Sequence, residues 1–269
     1  MGAYAPRMFG GRSFHLFTVL GFRVGAHWTL GIALVLAGIS YGGLGGVALS
    51  ALLFASILAH ELGHSVVARS RGVPIAGIDL HMFGGVAKMS APPRSPNDEI
   101  AIALAGPAVS LLLGGAALGL NAAFPLGLLT YLGGANLMLG LFNLRAAIPL
   151  DGGRVLRALL AKRRGLLGGT RLAVTVSRAL AVLMGVAAIA LGNYWVVMLA
   201  VMVWMMAGAE RFTIERHEVL TRMGAWHPAD VPWVRYDAAA DRERASSAAG
   251  GSARAPDEVM PPSGWRRVS

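Results

Sequence analysis

The sequence predicts an all-α polytopic membrane protein with about six transmembrane helices and a short membrane-associated β-hairpin-like loop. Of its 269 residues, 55% are hydrophobic and only 14% are charged, whereas about 25% are charged in an average soluble domain. Asp, Glu, Lys and Arg are all absent from 24–59, 100–144 and 179–209. Because about 20 apolar residues cross the hydrocarbon core of a bilayer, this composition argues against a soluble globular enzyme.

Breaks at glycine, proline and polar residues divide the apolar sequence into six predicted spans. These are 25–43, 47–69, 99–121, 127–147, 173–191 and 194–210. The tight turns within each successive pair of spans carry no lysine or arginine, and every basic residue lies in the other connections or towards the termini. By the positive-inside rule, both termini are therefore predicted to be cytoplasmic in a multi-pass protein of the cell membrane.

Three regions are predicted along the chain. Residues 1–22 form a cytoplasmic N-terminal segment without the apolar core and small-residue cleavage site of a secretory signal. Residues 23–212 form the six-helix transmembrane domain. Residues 213–269 form a cytoplasmic and largely disordered tail, because they are too polar to build a core.

Charge and cysteine content narrow the function classes further. The net charge of +10 flanks the apolar spans, so it is interpreted as a determinant of topology beside the lipid bilayer, with no nucleic-acid partner. The sequence has no cysteine, which excludes disulfides, cysteine-ligated zinc, iron–sulfur clusters and thiol catalysis.

The second predicted span contains an H-E-x-x-H sequence, formed by His60, Glu61 and His64. On a helix the two histidines lie one turn apart on the same face, so both imidazoles can bind one Zn²⁺ while Glu61 acts as a general base beside them. Such a short pattern also arises by chance. Three ionisable groups in an otherwise uncharged span are costly without a metal or partners, however, which favours a metal site.

A catalytic zinc needs a third protein ligand, and Asp151 is the predicted candidate. It is the only acidic residue between Glu99 and Glu210. Pro149 precedes it and two glycines follow it, so the carboxylate is expected at a helix end. Counted at about 1.5 Å per residue from the outer ends of their spans, His60 and Asp151 reach similar depths towards the cytoplasmic face.

Together these segments resemble the site-2 protease family of intramembrane zinc metalloproteases, in the six-span branch that includes the sporulation-factor processing protease. The resemblance covers roughly residues 20–210, and it implies a site-2 protease-like core that holds one Zn²⁺ per chain through His60, His64 and Asp151, with Glu61 as the catalytic base. It also implies regulated intramembrane proteolysis of a membrane-anchored protein substrate. The supporting segments are Ala26-His27-Trp28, Phe83-Gly84-Gly85-Val86-Ala87 and Ala105-Gly106-Pro107.

One position departs from the family pattern. The family's second motif usually has a proline three residues after Asn143, where this chain has Ala146. The fourth helix is therefore expected to continue to Pro149. The loop 69–99 is also too short to hold an inserted peptide-binding domain, so any regulation is expected from a membrane partner or from the substrate.

Three further residues are candidate substrate-binding or oxyanion positions. The loop from Val73 to Met89 is predicted to be extended and to turn at Gly84 and Gly85, so it could add a strand to an unwound substrate or simply fill the mouth of the bundle. Asn143 could hold the scissile carbonyl or could fix helix packing. Two other function classes stay open: a non-proteolytic membrane scaffold or chaperone, and a metal or proton transporter that uses the same buried His and Asp residues.

Overall fold

A computed structural model describes residues 13–222 of the chain. Six helices and four strands follow one another in these residues. They are β1 (Phe14–Val19), β2 (Phe22–Ala26), α1 (Trp28–Ser40), α2 (Leu44–Ser70), β3 (Ile75–His81), β4 (Gly84–Met89), α3 (Pro96–Ala123), α4 (Gly127–Asn143), α5 (Asp151–Ala190) and α6 (Tyr194–Arg222). Residues 223–269 of the predicted tail lie outside the described residues.

The strands form one sheet in the order β1-β2-β3-β4. The two strands of the predicted loop, β3 and β4, pair antiparallel, and β2 pairs parallel with β3. The all-α prediction is therefore incomplete, because β1 lies within the predicted N-terminal segment 1–22 and β2 overlaps the start of the predicted first span. The predicted span 25–43 shortens accordingly to the 13-residue helix α1.

Within residues 13–222, four helices are long and apolar enough to cross a membrane. They are α2, α3, α5 and the first part of α6, Tyr194–Phe212. The other two predicted spans correspond to α1, which has 13 residues, and α4, which has 17. At about 1.5 Å per residue, a 13-residue helix reaches only about 20 Å, so length alone supports four crossings. Helix α6 also continues to Arg222, past the predicted start of the disordered tail at 213.

Helix α4 ends at Asn143, so the expectation that it continues to Pro149 is wrong. The chain then turns through residues 144–150 and enters α5 at Asp151. A Cβ atom at Gly152 would lie 2.1 Å from the Leu144 carbonyl oxygen, and one at Gly153 would meet the Ala147 carbonyl carbon at 2.4 Å. The turn therefore folds back onto the first turn of α5, which requires glycine at both positions.

Helix α5 is a hairpin of two helical segments, where a basic loop was predicted. Gly165 has φ +71° and separates α5a (151–164) from α5b (166–190). A Cβ at Gly169 would lie 2.6 Å from the Ala161 nitrogen, and the Ile148 amide donates to the Ser177 hydroxyl at 2.8 Å. These contacts pack α5a antiparallel against α5b. Asp151 therefore lies well away from the tip of the hairpin.

The sheet lies beside the C-terminal half of α2. Gly85 of β4 packs against Ile57 and Glu61, since a Cβ there would meet both side chains within 3.2 Å. In the last turn of α2, Arg69 donates to the Leu20 carbonyl in the β1–β2 turn at 2.7 Å. Strand β4 consequently lies next to the H-E-x-x-H turn.

Candidate metal centre

The structure brings together the three side chains that the sequence predicts as metal ligands. The Nε2 atoms of His60 and His64 are 3.1 Å apart, and Asp151 Oδ2 lies 3.2 Å from each of them. All three residues are buried. The two histidines come from one face of α2, whereas Asp151 comes from the start of α5, 87 residues after His64.

The outer nitrogen of each imidazole has a partner of its own. His64 Nδ1 lies 2.6 Å from the Ile102 carbonyl oxygen, and His60 Nδ1 lies 2.9 Å from the Ser110 hydroxyl. A carbonyl only accepts hydrogen bonds, so His64 Nδ1 carries the proton and its Nε2 presents a lone pair. The same arrangement at His60 lets the Ser110 hydroxyl accept from Nδ1–H. Both imidazoles are thus oriented as metal ligands.

The donor set fits a tetrahedral zinc ion. Zinc bonds of about 2.0–2.1 Å place neighbouring ligand atoms about 3.3–3.4 Å apart, close to the 3.1 and 3.2 Å separations found here. Without a cation, two lone pairs and a carboxylate would face one another in a buried space. Gly106 of α3 leaves room for the imidazoles, because a Cβ there would lie 2.2 Å from His64 Nε2 and 2.7 Å from His60 Nε2.

Glu61 lies beside the ligands, between α2 and β4. Its Oε2 accepts a hydrogen bond from the Ala87 amide of β4 at 3.2 Å. A Cβ at Gly85 would lie only 2.6 Å from Glu61 Cγ, so the strand approaches the side chain closely. Glu61 therefore remains outside the cluster of three ligands and can serve as a base next to it.

The three candidate substrate-binding residues occupy different places. Gly85 contacts Glu61, whereas Gly84 has φ +136° and open space where a Cβ would be. The Asn143 amide donates to the Leu139 carbonyl of its own helix at 2.9 Å. Of the three, the described contacts bring only Gly85 to the proposed base.

Three residues that support the ligands were not predicted to do so. Ile102 and Ser110 hold the imidazoles, and Gly106, which was predicted only as part of a supporting segment, leaves space for them. Their positions four residues apart in α3 are the signal that could have found them, because such spacing places residues on one helix face.

Comparison with known proteins agrees with this site. A family model described as Peptidase family M50 matches residues 48–126. A zinc metalloprotease of Methanocaldococcus jannaschii is 35% identical over 221 residues, which make up 79% of this chain and 65% of that relative, so the chain spans just under two thirds of it. The solved site-2 protease from Methanocaldococcus jannaschii is 36% identical, with 74% of this chain and 95% of that chain covered and a TM-score of 0.59. Sequence, fold and metal site thus agree that the chain belongs to the site-2 protease family, Peptidase family M50.

Proposed function

We propose that the chain is an intramembrane zinc metalloprotease that hydrolyses a peptide bond in or next to the transmembrane segment of a membrane-anchored protein. The observation that carries this proposal is the buried cluster of His60, His64 and Asp151 with Glu61 beside it. The cluster joins α2 to α5, two of the helices long and apolar enough to cross a membrane. Family membership and the name of the curated relative point to the same chemistry.

The mechanism assigns one task to each residue. His60, His64 and Asp151 would hold Zn²⁺, and the bound ion would supply Lewis-acid chemistry for the scissile carbonyl and for the attacking water. Glu61 accepts the proton of the attacking water and passes it to the departing amine. The hydrogen bond from the Ala87 amide restrains the Glu61 carboxylate, so that its second oxygen is available for this transfer. Charged groups are energetically unfavourable in a membrane span, and the bound cation would offset this free energy by pairing with the carboxylates and the imidazoles.

Substrate recognition is proposed at the outer edge of β4. This strand pairs with β3 on one side only in the described sheet, and its Ala87 amide points towards Glu61. An unwound substrate could add to this edge as a strand, with main-chain hydrogen bonds that tolerate many sequences. Gly84 and Gly85 would let that backbone approach, and Asn143 would hold a substrate carbonyl.

The proposed topology has six membrane crossings with both termini in the cytoplasm. Basic residues occur outside the short turns that join α1 to α2, α3 to α4 and α5 to α6, which supports this orientation. Helix α4 and α5a would share the fourth crossing, interrupted by the turn that presents Asp151. Cleavage would then occur towards the cytoplasmic face, in the cell membrane, under the control of the substrate or of a membrane partner.

The experiment is co-expression with single-span membrane proteins encoded nearby, comparing the wild type with Glu61→Gln. We expect a shortened product from the wild type and none from the variant, while the purified variant retains zinc. If cleavage continues unchanged in Glu61→Gln, the assignment of the base is wrong. If metal or proton flux in proteoliposomes survives Glu61→Gln and no candidate is cleaved, the transporter alternative replaces the protease.

A further inference from the structure

One face of α3 contacts the residues that surround the metal centre, although it contributes no ligand. The face consists of Glu99, Ile102, Gly106 and Ser110, which are all buried. Their spacing of three, four and four residues places them in one row along the helix. This set is called the α3 face below.

Three members of the α3 face act on the histidines. The Ile102 carbonyl accepts from His64 Nδ1, the Ser110 hydroxyl is hydrogen-bonded to His60 Nδ1, and Gly106 leaves space for both imidazoles. The histidines are thus fixed relative to α3 by two hydrogen bonds that lie about two turns apart on that helix. The Asp151 carboxylate approaches the two Nε2 atoms from α5. Its position relative to α3 therefore depends on a separate contact between α5 and α3.

The fourth member, Glu99, supplies that contact through Arg157. The guanidinium of Arg157 donates to Glu99 Oε1 through Nε at 3.0 Å and also through Nη2. Arg157 is on α5a, the segment that begins at Asp151, fewer than two turns further along the helix. Both partners are almost fully buried, with side chains 2% exposed for Glu99 and 8% for Arg157.

We propose that the Glu99–Arg157 ion pair is a positioning pair that sets the place of Asp151 in the metal centre. The pair joins α3 to α5a and thereby restrains both the axial position and the rotation of α5a. Asp151 sits at the first position of that helix, where a small rotation moves its carboxylate away from the two Nε2 atoms. This inference rests on the proposed ligand set, because it assumes that Asp151 binds the metal.

The carboxylate of Glu210 also pairs with Arg157 and provides an internal comparison. Glu210 lies on α6 and pairs with Nη1 of the guanidinium, but its side chain is 35% exposed. Helix α6 packs on α5 and supplies none of the contacts described for the imidazoles. Loss of Glu210 therefore removes an equal charge from Arg157 while the link to α3 remains.

The test measures metal retention and ligand geometry in the purified full chain. Glu99→Gln and Arg157→Lys are compared with Glu210→Gln as the matched control. Direct hydrogen-bond partners of metal ligands typically contribute about 10- to 100-fold to metal affinity; because this pair acts on Asp151 through helix α5a, we expect an effect at the lower end, about tenfold faster loss of zinc to a chelator in the first two variants. We expect the control to match the wild type.

Cobalt substitution supplies a readout that a purely structural role would not change. In Co²⁺-loaded protein, the visible absorption bands report the ligand number and symmetry at the metal. We expect these bands to shift in Glu99→Gln and to remain at wild-type positions in Glu210→Gln. Thermal unfolding of the metal-free forms is expected to fall more in Glu99→Gln, because its pair with Arg157 is the more deeply buried one, so the cobalt bands and not the stability decide between the two roles.

Three results would overturn the inference. One is unchanged zinc retention and cobalt bands in Glu99→Gln. Another is an equal loss in Glu99→Gln and Glu210→Gln, which would make the cluster a general stabiliser. If Glu99→Gln does not accumulate in membranes, Glu99→Asp keeps the charge but shortens the reach, and wild-type retention in that variant also contradicts the proposal. A separate result tests the ligand set: if Asp151→Ala retains zinc with wild-type cobalt bands, Asp151 does not bind the metal.

Discussion

The two sides of the metal centre differ in how they are built. On one side, the α3 face contacts the imidazoles through a main-chain carbonyl, a hydroxyl and a glycine, all inside the helix bundle. On the other side, β4 is an edge strand of the described sheet and contacts Glu61 through one amide and one glycine. On the first side, a Cβ at Gly106 would collide with both imidazoles, whereas on the second side β4 has a strand partner on one edge only in the described sheet, and a substrate strand is proposed to add at its other edge.

This difference separates two tasks. Metal ligands must be held within a fraction of an ångström, and helices with buried contacts supply that rigidity. A substrate must be admitted and released, and a strand edge can form and lose main-chain hydrogen bonds at little structural cost. Changes on the α3 side should therefore affect zinc first, whereas changes on the β4 side should affect cleavage while zinc remains.

Gly106→Ala should have the largest effect of the variants that test this comparison. Its Cβ would lie 2.2 Å from His64 Nε2, so both imidazoles must move apart. We expect zinc content well below one per chain and cleavage at the background level. Gly115→Ala on the same helix is the matched control, because nothing lies within 4 Å of a Cβ there. Full zinc content in Gly106→Ala would mean that the α3 side is not rigid.

Gly85→Ala should have a smaller effect, and on cleavage alone. Its Cβ would lie 2.6 Å from Glu61 Cγ, which displaces the base or the strand, and a displacement of about 1 Å can cost about 100-fold in rate. We expect zinc to remain at wild-type content, as measured by metal analysis alongside the cleavage assay. Equal losses of zinc and cleavage would contradict the separation of the two sides.

Gly84→Ala should have the smallest effect and serves as the neighbouring control. Open space surrounds its Cβ position, but φ +136° strains any residue with a side chain, at a cost of about 1–3 kcal/mol. We expect cleavage to fall only several-fold, with zinc unchanged. A loss as large as that of Gly85→Ala would show that strand geometry, and not contact with Glu61, controls the rate.

The sequence was sufficient to predict the residues with unusual chemistry for their surroundings. His60, Glu61 and His64 interrupt an uncharged span, and Asp151 is the only acid in a long interval. The structure groups the two histidines with Asp151 and puts Glu61 next to them. Such residues are detectable because burying an ionisable group in a membrane span needs a compensating partner.

Elements whose residues are ordinary for their surroundings could not be predicted from the sequence. Strand β2 and helix α1 share one apolar run, in which hydrophobicity does not reveal where a strand ends and a helix begins. The basic residues of α5a indicated a loop, although Arg157 is buried against Glu99. That long-range pairing becomes visible only when α3 and α5 are packed together.

X-ray absorption at the zinc edge, on the purified wild type and Asp151→Ala, measures whether His60, His64 and Asp151 bind one zinc ion. We expect one zinc per wild-type chain, with nitrogen and oxygen ligands at about 2.0–2.1 Å that include two imidazoles. In Asp151→Ala we expect a lower zinc content and the loss of the carboxylate contribution. An identical spectrum and zinc content in the two proteins, or no zinc in the wild type, would show that this ligand set is wrong.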